Sequence, residues 1–254
     1  MSVKAAHMTD GLTDRRVTAA VLVIGDEILS GRTRDANSHY IAHYLLQIGV
    51  ETREIRVVPD VEEEIVAAIN ALRARYDYLF TTGGIGPTHD DITADAVAKA
   101  FGVAISEDPR AIALLLERIK PENLNEARRR MARIPHGAEL VANPISKAPG
   151  FWIGNVIVMA GVPAIMQVML DDVAPKLVHG AAIFSEIVEA PGLPEGAYAE
   201  GLTELAKAFP QVSIGSYPSL REGKFFNQIV LRGRDAAQLA MAAEQTRAML
   251  QQIG

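Results

Sequence analysis

Thr81-Thr82-Gly83-Gly84-Ile85-Gly86-Pro87-Thr88-His89-Asp90-Asp91 is the stretch on which the reading of this chain turns. Tyr78-Leu79-Phe80 before it is a short apolar run that predicts a buried strand, and Ile92 to Phe101 after it predicts a helix closed by Gly102. A glycine-rich turn between a strand and a helix lets backbone N–H groups approach an anion closely. Asp90 and Asp91 at the helix entrance would repel that anion unless a divalent cation lay between them. The stretch therefore predicts a Mg²⁺-dependent phosphate site. The plainer alternative is a tight turn with Asp91 as a helix cap. Three glycines, a proline, a threonine and two carboxylates between Gly83 and Asp91 are denser than a cap requires.

Upstream, Thr18 to Gly25 is a continuous apolar run of the kind found in strands covered on both faces. It ends in Gly25-Asp26-Glu27-Ile28-Leu29-Ser30-Gly31, and a polar loop carries Asp35, Ala36 and Asn37. Asn37 or Ser38 is expected to cap a helix with Tyr40, Ile41, Tyr44, Leu45 and Ile48 on one face. Val50 to Val58 reads as an outer strand, and Asp60 with Glu63 as a capping box for a helix carrying Ile65, Ile69 and Leu72. Strands alternating with helices at this spacing predict an α/β fold, a three-layer, doubly wound and mostly parallel sheet. Its ligands would sit beyond the carboxyl ends of the strands, where Gly25-Asp26-Glu27 and Gly83-Gly84 both fall.

Downstream, Asp108-Pro109 predicts a helix start, and Asn123 with Glu126 another. A hairpin-like segment follows around Asn143-Pro144-Ile145-Ser146-Lys147-Ala148-Pro149-Gly150. Asn155 to Ala160 reads as a buried strand, and Gly161-Val162-Pro163 opens a further helix at the same sheet end. The glycine- and proline-rich stretch 190–196 marks a boundary. Beyond it the order βαββα predicts a small α+β domain, so the expected division is a flexible leader at 1–16, a main domain at 17–180 and the small domain at 181–254. Ser213-Ile214-Gly215-Ser216-Tyr217-Pro218 is expected to be a strand end with a packed tyrosine.

The 254 residues are 49% apolar and 22% charged, an ordinary globular composition, with a net charge of −6. That acidity argues against a nucleic-acid surface, and Arg128-Arg129-Arg130 is expected to be a solvated helix face. With no cysteine, disulfides, Cys-ligated zinc, Fe–S clusters and thiol catalysis are excluded. Met1 to Arg16 lacks the apolar core of a signal peptide and no stretch approaches a membrane span, so a cytoplasmic location without membrane association is expected. The glycine loop is neither a Walker A loop nor a dinucleotide fingerprint, and no Gly-x-Ser-x-Gly elbow occurs. His89, inside the acidic loop, is the one histidine placed near a candidate site.

The motifs Gly25-Asp26-Glu27-Ile28-Leu29-x-Gly31, Asp35-Ala36-Asn37, Thr82-Gly83-Gly84-Ile85-Gly86-Pro87-Thr88-x-Asp90-Asp91, Asn143-Pro144, Ala148-Pro149-Gly150-Phe151 and Gly161-Val162-Pro163 occur in this order. Together they closely resemble the molybdopterin-binding (MoaB/Mog-like) domain, in the form that begins CinA proteins and animal FAD synthases. The likeness covers about residues 17 to 180, and the segment with Gly215-Ser216-Tyr217-Pro218 is similar to the small domain that follows in those proteins. The resemblance implies a pocket for molybdopterin or a nucleotide. It also implies a metal-dependent pyrophosphatase acting on ADP-ribose- or FAD-like dinucleotides; the alternative is a non-catalytic molybdopterin-binding protein of molybdenum cofactor biosynthesis.

On that likeness Asp90 and Asp91 would be catalytic and hold Mg²⁺ or another divalent metal. Gly83, Gly84, Gly86, Pro87 and Thr88 would cradle phosphates, with Glu27, Asp35 and Asn37 on the facing wall and Asn143 and Lys147 as further contacts. A homo-oligomer, dimer or trimer, is implied as well. Two departures stand out. The deamidase domain of CinA proteins has no counterpart before residue 254, so deamidation of nicotinamide mononucleotide is not expected. His89 stands where many bacterial CinA sequences carry lysine, and there the animal FAD synthases are the better likeness.

Overall fold

Val17 to Ile24 is apolar at every position but Thr18, and a strand of that kind is stable only with both faces covered. The computed structural model, which describes residues 16–253, places it inside a sheet: β1 (Val17–Ile24) is buried along its length except at Thr18. It is followed by a single-turn helix α1 (Asp26–Leu29), α2 (Asn37–Gln47), β2 (Val50–Val58), α3 (Glu62–Arg73), β3 (Tyr78–Thr82) and α4 (Thr93–Phe101). Then come β4 (Ile105–Glu107), α5 (Pro109–Leu116), α6 (Glu126–Arg130), β5 (Arg133–Pro135), β6 (Glu139–Val141), β7 (Gly150–Ile153), β8 (Val156–Met159) and α7 (Pro163–Val173). The expected leader lies outside the described residues apart from Arg16.

The main sheet runs β2-β1-β3-β8-β7-β6. The first four strands are parallel, and β7 is antiparallel to both of its neighbours. Alternation along β1 sends Ala20, Leu22 and Ile24 to one face, where they meet Ile65, Ile69 and Leu72 of α3 and Val97 of α4. Ala19, Val21 and Val23 go to the other face, against Ile41 and Leu45 of α2 and Met166, Met169 and Leu170 of α7. The result is the expected three-layer α/β/α arrangement, with β2 at the edge.

Three expected caps are made differently. Neither Asn37 nor Ser38 caps α2; the Asp35 carboxylate accepts from both of their amides, at 2.9 and 3.2 Å. Asp60 and Glu63 form no capping box. The Val61 amide turns back to the Pro59 carbonyl, α3 starts only at Glu62, and Asp60 instead accepts from the Asp26 amide at 2.9 Å. Asn125, rather than Asn123, caps α6 by accepting from the Arg128 amide. Asp108 does cap α5 ahead of Pro109, and Gly102 ends α4 in the left-handed region.

The chain divides after Gly180. The second unit contains β9 (Phe184–Pro191), α8 (Glu195–Ala208), β10 (Ser213–Tyr217), β11 (Leu220–Arg221), β12 (Lys224–Gly233) and α9 (Ala236–Ile253). β12 lies between β9 and β10 in an antiparallel sheet, with Val188, Ile229 and Leu231 packed on Leu205 of α8 and on Leu239 and Ala243 of α9. The two-residue β11 is an addition to the expected βαββα order, too short to leave a periodic signal. Tyr217 lays its ring over Gly215 while remaining half exposed, and Ser216 joins a hydrogen-bond chain through Tyr198 to Asn227.

Candidate functional site

The carboxyl ends of β1, β3 and β8 release the chain at Gly25, Gly83 and Gly161, and these three turns rim one cleft of about 590 Å³. That volume falls within the range of roughly 300–1,000 Å³ usual for small-ligand pockets. Gly83 and Gly84 have φ of +106° and +66°. A Cβ on Gly83 would stand 2.1 Å from the Ile24 carbonyl oxygen, so only glycine lets β3 turn this close to β1. The buried Thr93 hydroxyl donates to the Gly83 carbonyl at 3.0 Å, tying the loop to the first residue of α4.

Asp91 organises the rest of the loop. Its Oδ1 accepts from the Gly86 amide at 2.7 Å, and its Oδ2 from the Thr88 amide at 2.8 Å and the Thr88 hydroxyl at 2.5 Å. It is no helix cap: Ile92 precedes α4 without a side-chain cap. The Gly84 and Ile85 amides meet no acceptor among the described residues, so they remain able to meet an anion. Asp90 is exposed on the cleft wall. Hydrogen bonding from the Thr88 side chain, and then from its own amide, holds its carboxyl below the ordinary aspartate range. The His89 ring is solvent-exposed and 3.8 Å from Asp90.

Glu27 faces this loop from the β1 side, and so does a carboxylate not expected from the sequence, Asp60. Burial, followed by repulsion from Asp26, Glu27 and Asp90, raises the Asp60 pKa above the usual value. A signal existed for it: Asp60 follows the carboxyl end of β2, which is parallel to β1, and so belongs to the same rim as Glu27. Glu27, Asp60, Asp90 and Asp91 thus line one cleft, and no Lys, Arg or His is among the described residues that line it. Among the described residues no three such groups converge tightly enough to enclose a metal ion. Mg²⁺ commonly binds through one or two carboxylates together with substrate phosphate oxygens, so hard oxygen donors beside a loop with two open amides are of the kind that suits it.

A raised carboxyl pKa contributes stability below the unfolded-state value and loses it as pH rises through the folded-state value. Asp60→Asn is therefore expected to raise the melting temperature at neutral pH, with the gain vanishing below about pH 4 where aspartate protonates in both states. Water still reaches the group, which keeps the rise on the order of 1 °C. Thermal melts of both proteins between acid and neutral pH test this.

The other expected site residues separate into two groups. Asp35 and Asn37 line a smaller recess of about 80 Å³ that shares Glu27, Gly83 and Gly161 with the cleft. Asp35 is engaged as the α2 cap. The buried Asn37 amide donates to Thr82 Oγ1 at 2.8 Å and to the Gly161 carbonyl at 2.7 Å, joining α2 to two rim turns. Asn143 lines the cleft, but its carboxamide holds its own loop, accepting from the Ile145 and Ser146 amides and donating to the Ala148 carbonyl. Lys147 is not brought to the cleft; its ammonium pairs with Glu117 at 2.7 Å. The arginine run also departs from a uniformly solvated face. Arg128 and Arg129 reach Asn123 and Glu107, whereas Arg130 is half-buried and donates to the Asp91 carbonyl oxygen at 3.2 Å.

No helix among the described residues is long and apolar enough to cross a membrane. Residues 20–179 match the family model described as "Probable molybdopterin binding domain", and residues 190–253 match "FAD synthase, middle domain". A protein of Archaeoglobus fulgidus is 31% identical over 91% of this chain and 96% of its own length. A "Probable FAD synthase" of Caenorhabditis elegans is 35% identical over 84% of this chain, which spans 46% of that protein. The crystal structure of the protein CinA, of unknown function, from Thermoplasma acidophilum superposes with a TM-score of 0.60 at 33% identity, covering 63% of this chain and 96% of that one.

Proposed function

This chain belongs to the molybdopterin-binding-domain family in its CinA-like form, with FAD synthase-like relatives, and from that premise we propose that its cleft binds a phosphate-bearing nucleotide or pterin and hydrolyses a diphosphate bond. The observation that supports this reading best is the pairing of a glycine loop, its Gly84 and Ile85 amides open to an anion among the described residues, with an acidic wall whose described lining residues include no lysine, arginine or histidine. In that arrangement the Gly83–Gly86 turn receives the phosphate. Asp90 would hold a divalent cation there, Glu27 and Asp60 add negative charge to the same wall, and Asp91 keeps the loop amides aimed. Such a cation, when bound, would polarise the diphosphate bridge and acidify a water. The residues themselves bind, orient and shape; the exposed Asp90, already ionised below the usual range, is the carboxylate able to face both metal and water.

The test is a turnover screen of the purified chain with ADP-ribose, FAD and ATP, with and without Mg²⁺, Mn²⁺ or Co²⁺. Metal-dependent release of AMP from a dinucleotide is the expected result, and intact substrates under every condition would sink the hydrolase reading. One feature favours a second reading, a non-catalytic molybdopterin-binding protein: both oxygens of Asp91 are engaged inside the loop. That reading expects a molybdopterin preparation to raise the melting temperature with no product formed.

A further inference from the structure

Arg130 adjoins the glycine loop but is not among the residues that line the cleft. One Nη donates to the main-chain oxygen of Asp91, the residue whose carboxylate sets the Gly86 and Thr88 amides. Its Nε is shielded from solvent and meets no acceptor among the described residues. A guanidinium presents several donors in a rigid plane, and a buried donor left unpaired is unfavourable unless something nearby gains from it. Arg130 also lines a recess of about 20 Å³ that shares Gly84, Gly86 and Asp91 with the cleft. Arg133 in the same recess is paired with Asp95, whereas Arg130 pairs with no carboxylate among the described residues.

That placement answers a difficulty in the charge balance of the cleft. Phosphate on the Gly84 and Ile85 amides would lie among Glu27, Asp60, Asp90 and Asp91, and no cationic side chain is among the described residues that line that wall. Where water is excluded, a guanidinium acts on an anion more strongly than it would through solvent, and Arg130 Nε is shielded from solvent. We propose that Arg130 is the positioning residue of the loop, holding it in its anion-receiving form through Asp91 and supplying from outside the cleft the positive charge that the described cleft lining lacks. This rests on the reading of the cleft as a phosphate site and extends it to a residue outside the cleft.

Calorimetric titration of the full chain with inorganic pyrophosphate and Mg²⁺ tests it. Arg130→Met is expected to weaken binding about tenfold or more, the scale of a lost charge-assisted contact, while the ligand-free melting temperature stays close to the parent's. Arg130→Lys should recover part of the affinity through charge alone. Arg129→Met, removing a neighbour paired with Glu107 outside the cleft, should bind as the parent does. If Arg130→Met proves unstable, Arg130→Gln decides, because it keeps a donor for Asp91 but no charge. Parent-like affinity in Arg130→Met or Arg130→Gln overturns the role of Arg130 and leaves the phosphate site standing. A parent chain that binds no pyrophosphate removes both.

Discussion

Asp91→Ala is expected to abolish metal-dependent AMP release, lowering kcat/KM by roughly 10³-fold or more, the upper range for losing oriented donors at a reacting anion. The variant leaves the Gly86 amide, the Thr88 amide and the Thr88 hydroxyl without the carboxylate that gathers them. With those donors released, the turn can no longer hold the Gly84 and Ile85 amides toward one point. The same change is expected to lower stability by about 1 kcal/mol, the usual net contribution of hydrogen bonds whose released donors water can reach. Asp90→Ala provides the contrast. Its side chain is exposed and its contacts with the Thr88 side chain and its own amide lie at the surface, so turnover should fall while the urea midpoint moves less than in Asp91→Ala. Steady-state kinetics and urea denaturation of the two variants separate these roles. Equal loss of stability in both would show that the division between metal-facing Asp90 and loop-forming Asp91 is wrong.

Gly83→Ala is expected to destabilise the main domain by about 3 kcal/mol or more and to destroy ligand binding with it. The φ of +106° lies beyond the left-handed helical region that other residues sometimes adopt. The new Cβ would also stand 2.1 Å from the Ile24 carbonyl oxygen. That oxygen belongs to the last residue of β1, a strand paired on both sides with β2 and β3, so neither partner can withdraw. Gly102→Ala isolates the backbone component. Its φ of +65° is also positive, but nothing lies within 4 Å of the added carbon, so a loss of only about 1 kcal/mol is expected. Chemical denaturation of the pair measures the difference. Similar losses would mean that the close approach of β3 to β1 contributes little.

How far the sequence reaches is visible in particular residues. The continuous apolar run of β1, the stripe of Ile65, Ile69 and Leu72 on α3, the proline starts of α5 and α7 and the glycine that ends α4 each depend on neighbours a few positions away. Such interactions leave a local pattern, and the fold class and the glycine loop were legible from them. The caps were less so. Asn37, Asp60 and Asn123 are all residue types that can cap a helix, and nothing local tells which carboxylate or amide has a better partner elsewhere.

The partners that settled those cases are remote. Asn37 reaches Thr82 and Gly161, and Asp60 reaches Asp26 across the β1–β2 pair. Arg130 turns from a basic run on α6 to the Asp91 carbonyl, and Lys147 turns from the cleft to Glu117. By itself, then, the sequence determined the strand–helix alternation, the two-part division and the place of the glycine loop, because backbone propensity and apolar periodicity act over one or two turns. Only the tertiary structure decided which charges share the cleft, since Coulomb forces and hydrogen bonds act between side chains that the parallel sheet brings together from strands tens of residues apart.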